Sequence, residues 1–196
     1  MNIISRNQAD LSPSLYADLG CYRHEVFVEL LRWDLITPEG IEQDQFDRQD
    51  TVYVIARDDE GRINGCTRLL PTTKPYLLGE VFPELLNGLT PPSSSEVWEL
   101  SRFAAVDVSD MSASPRGQLS SPIAVALLRD TIRVAARLGA KRLITVSPLG
   151  IERLLRHAGF KAHRAGPPMV MGGHPLFACW IEVEDPPTMP PTTGHG

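Results

Sequence analysis

The nine residues VWELSRFAA, positions 97 to 105, put Glu99, Ser101 and Arg102 in the middle of an otherwise apolar segment of strand length. A short apolar run of this kind reads as a buried strand. Ionised groups in a low-dielectric interior are costly unless paired, so a chain that buries this segment must bring partners of opposite sign to it. Candidates are spread over the first hundred positions. Arg68 interrupts a second apolar segment, RINGCTRLLP. Arg23 lies in SPSLYADLGCYRHEVFVELL, with Phe27 one turn on and Trp33 just beyond the end. Asp44 and Asp47 are three residues apart in the acidic stretch TPEGIEQDQFDRQD. Three arginines and three carboxylates on separate elements are therefore expected to converge. From the residues alone two outcomes stay open: a structural ion-pair network, or a polar site for a ligand that carries both signs of charge.

The remaining pattern supplies the frame. Ser12 and Pro13 open an amphipathic helix with Leu15, Leu19, Tyr22, Val26 and Leu30 at helical spacing. The acidic stretch after it has no usable period and reads as a loop. TVYVIARD and RINGCTRLLP, joined by DDEG, read as antiparallel strands, and PYLLGEVFPELLNG as a short helix or turn. After the polar loop DVSDMSASPRGQLSS, Ser121 and Pro122 open a helix with the stripe Ile123, Leu127, Val134, Leu138, stopped by Gly139. RLITV is a strand. Ser147 and Pro148 are expected to cap a further helix that turns Ile151, Leu154, Leu155 and Ala158 inward and ends at Gly159, before a last strand, LFACWIEVE. Strands first, then alternating helix and strand, imply an α/β domain with a mixed sheet and helices on its faces.

A length of 196 residues suits one domain, here residues 1–184, followed by a Pro-rich tail at 185–196 expected to be disordered. With 42% hydrophobic and 22% charged residues the chain is globular, and a net charge of -5 argues against general nucleic-acid binding. No apolar run approaches the ~20 residues of a membrane span, and MNIISRNQAD lacks a secretory pattern, so a cytoplasmic protein is expected. Cys21, Cys66 and Cys179 are too scattered for a disulfide framework or zinc site, and the histidines form no ligand spacing.

The segments RHEVFVELLRWDL, EQDQFD, CTRLLPTTKPYLLGEVFPELL and VWELSRFAA resemble the signature segments of the acyl-homoserine-lactone synthases, the bacterial autoinducer synthases of quorum sensing. The resemblance runs continuously over residues 20 to 105 and more weakly through LITVSPLGIERLLRHAGF. It implies a single α-β-α sandwich similar to the GNAT acyl-CoA N-acyltransferases, with a mostly antiparallel sheet whose strands splay to admit a thioester. It also implies a reaction in which an acyl group passes from acyl carrier protein to the amine of S-adenosylmethionine. Lactone closure then releases methylthioadenosine, with no cofactor or metal required. The family's characteristic residues match here as Arg23, Phe27, Trp33, Asp44, Asp47, Arg68, Phe82, Glu99, Ser101 and Arg102.

The chemistry sets roles for these residues. Glu99 is the expected base. An α-amino group titrates near 8 and an ordinary Glu near 4.3, a gap of about 3.7 units or roughly 5 kcal/mol that disfavours direct deprotonation of the resting ammonium. Attack on the carbonyl makes the nitrogen far more acidic and lets Glu99 accept the proton then, directly or through water. Burial would raise the Glu99 pKa, and Arg68 and Arg102 would lower it. Asp44 and Asp47 suit the cationic ammonium and sulfonium, and an arginine suits the carboxylate. Backbone N–H groups near Phe103 and Ala104 are candidate donors to the thioester oxygen. Leu100, Thr145, Val146 and Leu149, with Phe27, Trp33, Phe82 and Phe103, are candidates for the acyl tunnel, Thr145 being placed to meet a 3-oxo group. Arg129, Arg133, Arg137, Lys141, Arg142, Arg153 and Arg156 form a basic stripe suited to an acidic carrier protein, or simply a solvated face. Two alternatives stand beside this reading. One is a plain acyl-CoA N-acyltransferase, although SPRGQLSSPIA lacks the second glycine of the usual pyrophosphate loop. The other is a ligand-binding module without turnover.

Overall fold

A computed structural model describes residues 2–108 and 122–183. The expected tail falls outside them, as does most of the DVSDMSASPRGQLSS loop with Ser121. Among the described residues eight strands form one sheet: β1 (Asn2–Asn7), β2 (Val52–Arg57), β3 (Ile63–Pro71), β4 (Val97–Ala104), β5 (Arg142–Pro148), β6 (Ala162–Arg164), β7 (Met169–Met171) and β8 (His174–Glu182). Their order is β1-β2-β3-β4-β5-β8-β6, with β7 also paired to β8. Every pairing is antiparallel except β4 with β5.

Central strands covered on both faces read as unbroken apolar runs. In keeping with this, β2 and β3 are buried along almost their whole length. One face carries α3 (Pro122–Arg137) and α4 (Gly150–His157), packed on Val54, Leu69, Leu100, Leu143 and Phe177. The opposite face carries α1 (Pro13–Arg23) on Tyr53, Ile55 and Cys66, and α2 (Leu77–Val81) with its following turn on Leu70, Ile144 and Ala178. This is the expected three-layer sandwich. Among the described residues no helix is long and apolar enough to cross a membrane.

Several local expectations are corrected. β1, β6 and β7 were not expected from the residue pattern; they are short or lie at the sheet's margins, where pairing depends on distant partners rather than on local alternation. Ser147 does not cap α4. It lies buried within β5, and the helix starts after Leu149 with no side-chain cap. Leu138, placed on the inward stripe of α3, is 36% exposed. Gly139 ends that region as expected, with φ +85.

Two irregularities shape the face of the sheet that carries α1. After Arg23 the first helix widens into a π-helical segment, His24–Leu30, a feature that often marks functional sites. In β4 the register advances two residues on β3 (Cys66 to Arg68) while passing three on β4 (Ala104 to Ser101), a bulge at which Arg102 adopts φ 51.

Candidate active site at the splayed strands

β4 and β5 pair only over Val97–Glu99 and Arg142–Ile144; beyond that point β4 continues along β3 and β5 continues along β8. The sheet therefore opens into a V whose vertex is the Glu99–Ile144 pair. Glu99 is fully buried (0% exposed), and its carboxylate accepts hydrogen bonds from the backbone N–H of Leu77 (2.9 Å) and of Leu78 (2.6 Å). Burial pushes its pKa up to about 7. The Leu78 and Leu77 amides and the Arg68 and Arg102 charges pull the other way and are outweighed.

The arginines converge as expected, but on a different third carboxylate. Arg23 Nε donates to Glu42 (2.5 Å), and its other nitrogens donate to Asp47 (2.9 and 3.0 Å). Arg68 donates to Asp47 (2.9 Å) and Asp44 (2.6 and 3.1 Å), and its Nε donates to Ser101 Oγ (3.0 Å). Arg102 donates to Asp44 (2.9 Å) and to both oxygens of Glu42 (2.9 to 3.2 Å). The six close into a ring, Arg23–Glu42–Arg102–Asp44–Arg68–Asp47, in which each group bridges two of opposite sign. Glu99 stands outside it: among the described residues it pairs with no arginine. Burial opposes ionisation of Asp47 and Glu42, but the arginines hold both below the usual carboxylate range.

Local chemistry explains the ring's geometry. Asp44 and Asp47 organise their own turn: Asp44 Oδ1 accepts from the Phe46 N–H, and Asp47 Oδ2 from the Asp44 N–H. Tyr53, on β2, donates to Asp47 from below. Glu42 reaches the helix because its N–H bonds Gly20 O at 3.0 Å, an approach that a Cβ on residue 20 would block, since it would stand 2.6 Å from Ile41 Cγ2. The β4 bulge matters most. A regular strand would alternate Ser101 and Arg102 between faces; the extra residue puts both on the charged face and leaves Leu100 and Phe103 with α3 and α4. Glu42 was missed because nothing in IEQDQFD distinguishes a 2% exposed carboxylate from a solvated one.

The other expected residues divide between the faces. Phe27 and Trp33 stack on each other (4.9 Å, 25°), with the Arg102 guanidinium 5.6 and 6.0 Å from their ring centres. Phe82 is partly buried beside Phe46 and Tyr76, and Ala104 packs with Cys66, both away from α3. On the α3–α4 face Leu100, Phe103, Thr145 and Ser147 line a hollow of about 20 Å³. Thr145 and Ser147 hydroxyls lie 3.1 Å apart within it. Val146 turns to the opposite face and Leu149 is 40% exposed, so neither joins Leu100 and Thr145. The basic stripe also splits. Arg129, Arg133 and Arg137 on α3, Arg153 and Arg156 on α4, and Lys141 and Arg142 at the start of β5 are all exposed. Of these, Arg142 lies 4.6 Å over the Trp180 ring, on the far face.

A family model described as autoinducer synthase matches residues 7–188. The acyl-homoserine-lactone synthase of Acinetobacter nosocomialis is 56% identical over 183 residues, covering 93% of this chain and 100% of the relative. TofI, solved in a ternary complex with an inhibitor and MTA, is 44% identical with a TM-score of 0.80, covering 94% of this chain and 92% of that one. BjaI, a CoA-dependent acyl-homoserine lactone synthase solved with SAM and isopentyl-CoA, is 26% identical with a TM-score of 0.80, covering 93% and 83%. An acyl-CoA N-acyltransferase from Pseudomonas aeruginosa, 17% identical with a TM-score of 0.59 over 92% of this chain and 99% of that one, shares the fold alone. Sequence and architecture agree: the chain belongs to the autoinducer synthase family, the acyl-homoserine-lactone synthases.

Proposed function

We propose that this synthase joins the amine of S-adenosylmethionine to an acyl thioester at the vertex of the V, with Glu99 as general base. The observation that carries the reading is the position of Glu99: fully buried where β4 and β5 part, fixed by two backbone amides, with a pKa near 7. An α-ammonium at about 8 then lies only ~1 unit above its base, roughly 1.4 kcal/mol instead of the 5 kcal/mol of an ordinary Glu. Glu99 takes a proton from the ammonium, the freed amine attacks the carbonyl and the N–C bond forms. The C–S bond breaks as a second proton from the nitrogen passes to the departing sulfur, releasing the carrier thiol. In the second step the carboxylate oxygen attacks the carbon bonded to sulfur. That C–S bond breaks, the lactone closes and methylthioadenosine leaves. The sulfonium is already a good leaving group, so this step calls on no metal.

In this reading the charge ring is mainly a frame. Its charges balance three against three, and Asp44, with 16% of its side chain exposed, is the carboxylate with an edge left for a cationic ligand. Orientation of the two ends of one substrate is what an intramolecular closure needs most. The acyl chain enters the hollow beside Leu100, Phe103 and Thr145, on the other side of the sheet, where Thr145 meets a 3-oxo group. The exposed arginines of α3 and α4 support an acidic carrier protein as the donor. BjaI is described as CoA-dependent, which makes acyl-CoA the competing donor.

Incubating the protein with S-adenosylmethionine and matched acyl-carrier-protein and acyl-CoA donors, with mass spectrometry of the products, tests the reading. Acyl-homoserine lactone is expected, with the carrier-protein donor preferred at low salt. Reversing charge at Arg153 and Arg156 is expected to raise KM for the carrier-protein donor several-fold and leave that for S-adenosylmethionine unchanged. Equal effects on both would remove the docking role.

A further inference from the structure

Two hollows lie beside α4 and share one lining side chain. The first, about 20 Å³, is the one beside Leu100, Phe103 and Thr145. The second, about 140 Å³, lies on the β6 side of the helix; its lining is half apolar or thiol, Leu155, Phe160, Ala162 and Cys179, and half polar, Glu152, Arg156, His163 and Arg164. Among the described residues Leu155 alone borders both, and it is 1% exposed. The Cys179 thiol, pushed up to about 12 by burial, is a neutral wall. At the outer rim the Glu152 carboxylate accepts from two nitrogens of Arg164 (3.1 and 2.6 Å), which ties α4 to β6.

The smaller hollow has room for about one water molecule, far less than a chain of several methylenes requires. Leu155 is the wall that this hollow shares with the larger empty space. We infer that Leu155 sets the acyl chain length this enzyme accepts, and that the larger hollow is the space a longer chain would occupy if that wall were cut back. The inference rests on the acyl placement proposed above. Burying one more methylene is worth about fourfold in affinity, so three extra methylenes can change a preference by well over tenfold.

The test is a set of kcat/KM values for donors differing by two methylenes, measured on the wild type and on variants at this wall. Leu155→Ala is expected to raise the ratio of long-chain to short-chain kcat/KM at least tenfold, and Leu155→Val, which disturbs the core less, to move it the same way by less. Leu155→Phe is expected to shift the optimum toward shorter chains. Adding Ala162→Phe to Leu155→Ala refills the second hollow and should reverse the shift, a result that loosened packing alone would not give. An unchanged ranking in the Val and Phe variants, or no reversal by Ala162→Phe, overturns the inference. If the wild type makes no acyl-homoserine lactone from any donor, it is the proposed function that falls.

Discussion

Where β4 and β5 part, the two faces of the sheet are made of opposite materials. One holds six charged side chains closed into a ring, with a separate buried carboxylate beside it; the other holds leucines, Phe103 and two hydroxyls around a small hollow. The charged face is over-determined, since each ring member has two partners and its geometry is fixed before any ligand arrives. The apolar face is under-filled. In the proposed function a single sheet offers a rigid polar surface to a charged metabolite and an adjustable apolar one to a chain of variable length. Glu99, at the vertex, accepts from two backbone amides rather than from the ring's arginines, and burial outweighs the lowering effect of those amides and of Arg68 and Arg102 on its pKa.

The contrast can be broken most directly at the vertex. Glu99→Gln is expected to lower kcat by about 10² to 10⁴, the usual worth of a general base, and to abolish an acidic limb near pH 7 in the rate profile. Retained activity with that limb intact would remove the catalytic role.

A second experiment asks whether the ring is a frame. Glu42→Ala leaves Arg23 and Arg102 buried without their shared partner and should destabilise the fold by about 3–5 kcal/mol in denaturant titrations. A loss under about 1 kcal/mol would mean that the ring contributes little to stability.

The same contrast has a pH signature. Glu99 titrates near 7 when folded against about 4.5 when unfolded, so its burial penalty grows as pH rises from 4.5 to 7 and is constant above, up to about 3 kcal/mol. Glu99→Gln should therefore gain stability relative to wild type across that window. Asp47 works in the opposite sense: held below its usual range, it contributes stability above about pH 4 that is lost as pH falls further. Unfolding free energies of wild type and Glu99→Gln at pH 2.5, 4, 5.5, 7 and 8.5 check both signs: a constant difference between the two proteins would contradict the first, and no further loss in both below pH 4 the second.

The smallest expected effect is on the apolar face. Thr145→Gly should change the ratio of 3-oxo to unsubstituted product several-fold with little effect on the rate for an unsubstituted donor. No change in that ratio would remove Thr145 from substrate contact.

The charged face was the more legible one, because a charge inside an apolar run is anomalous at the level of composition. Arg68 in CTRLL and Arg102 in ELSRF announce themselves, and their need for partners points to Asp44 and Asp47. Glu42 does not, since its environment is made by Gly20 on another element. The apolar face was harder to read. Leucine, valine and threonine in RLITVSPLG carry no mark of which will face a hollow, and period-two alternation sent Thr145 and Val146 to opposite sides.

Taken alone, the chain's residues carried the sandwich architecture through their periodicity, the family through the resemblance of whole segments, and five of the six ring charges, because the cost of burying a charge leaves a trace in composition. Tertiary structure decided who pairs with whom. A bulge at Arg102 turned it toward Glu42, two helix-end amides took Glu99 away from the arginines, and the parting of β4 from β5 placed that carboxylate at an opening. Each of these is a relation between backbones distant in sequence, set by register and packing rather than by the residues on either side.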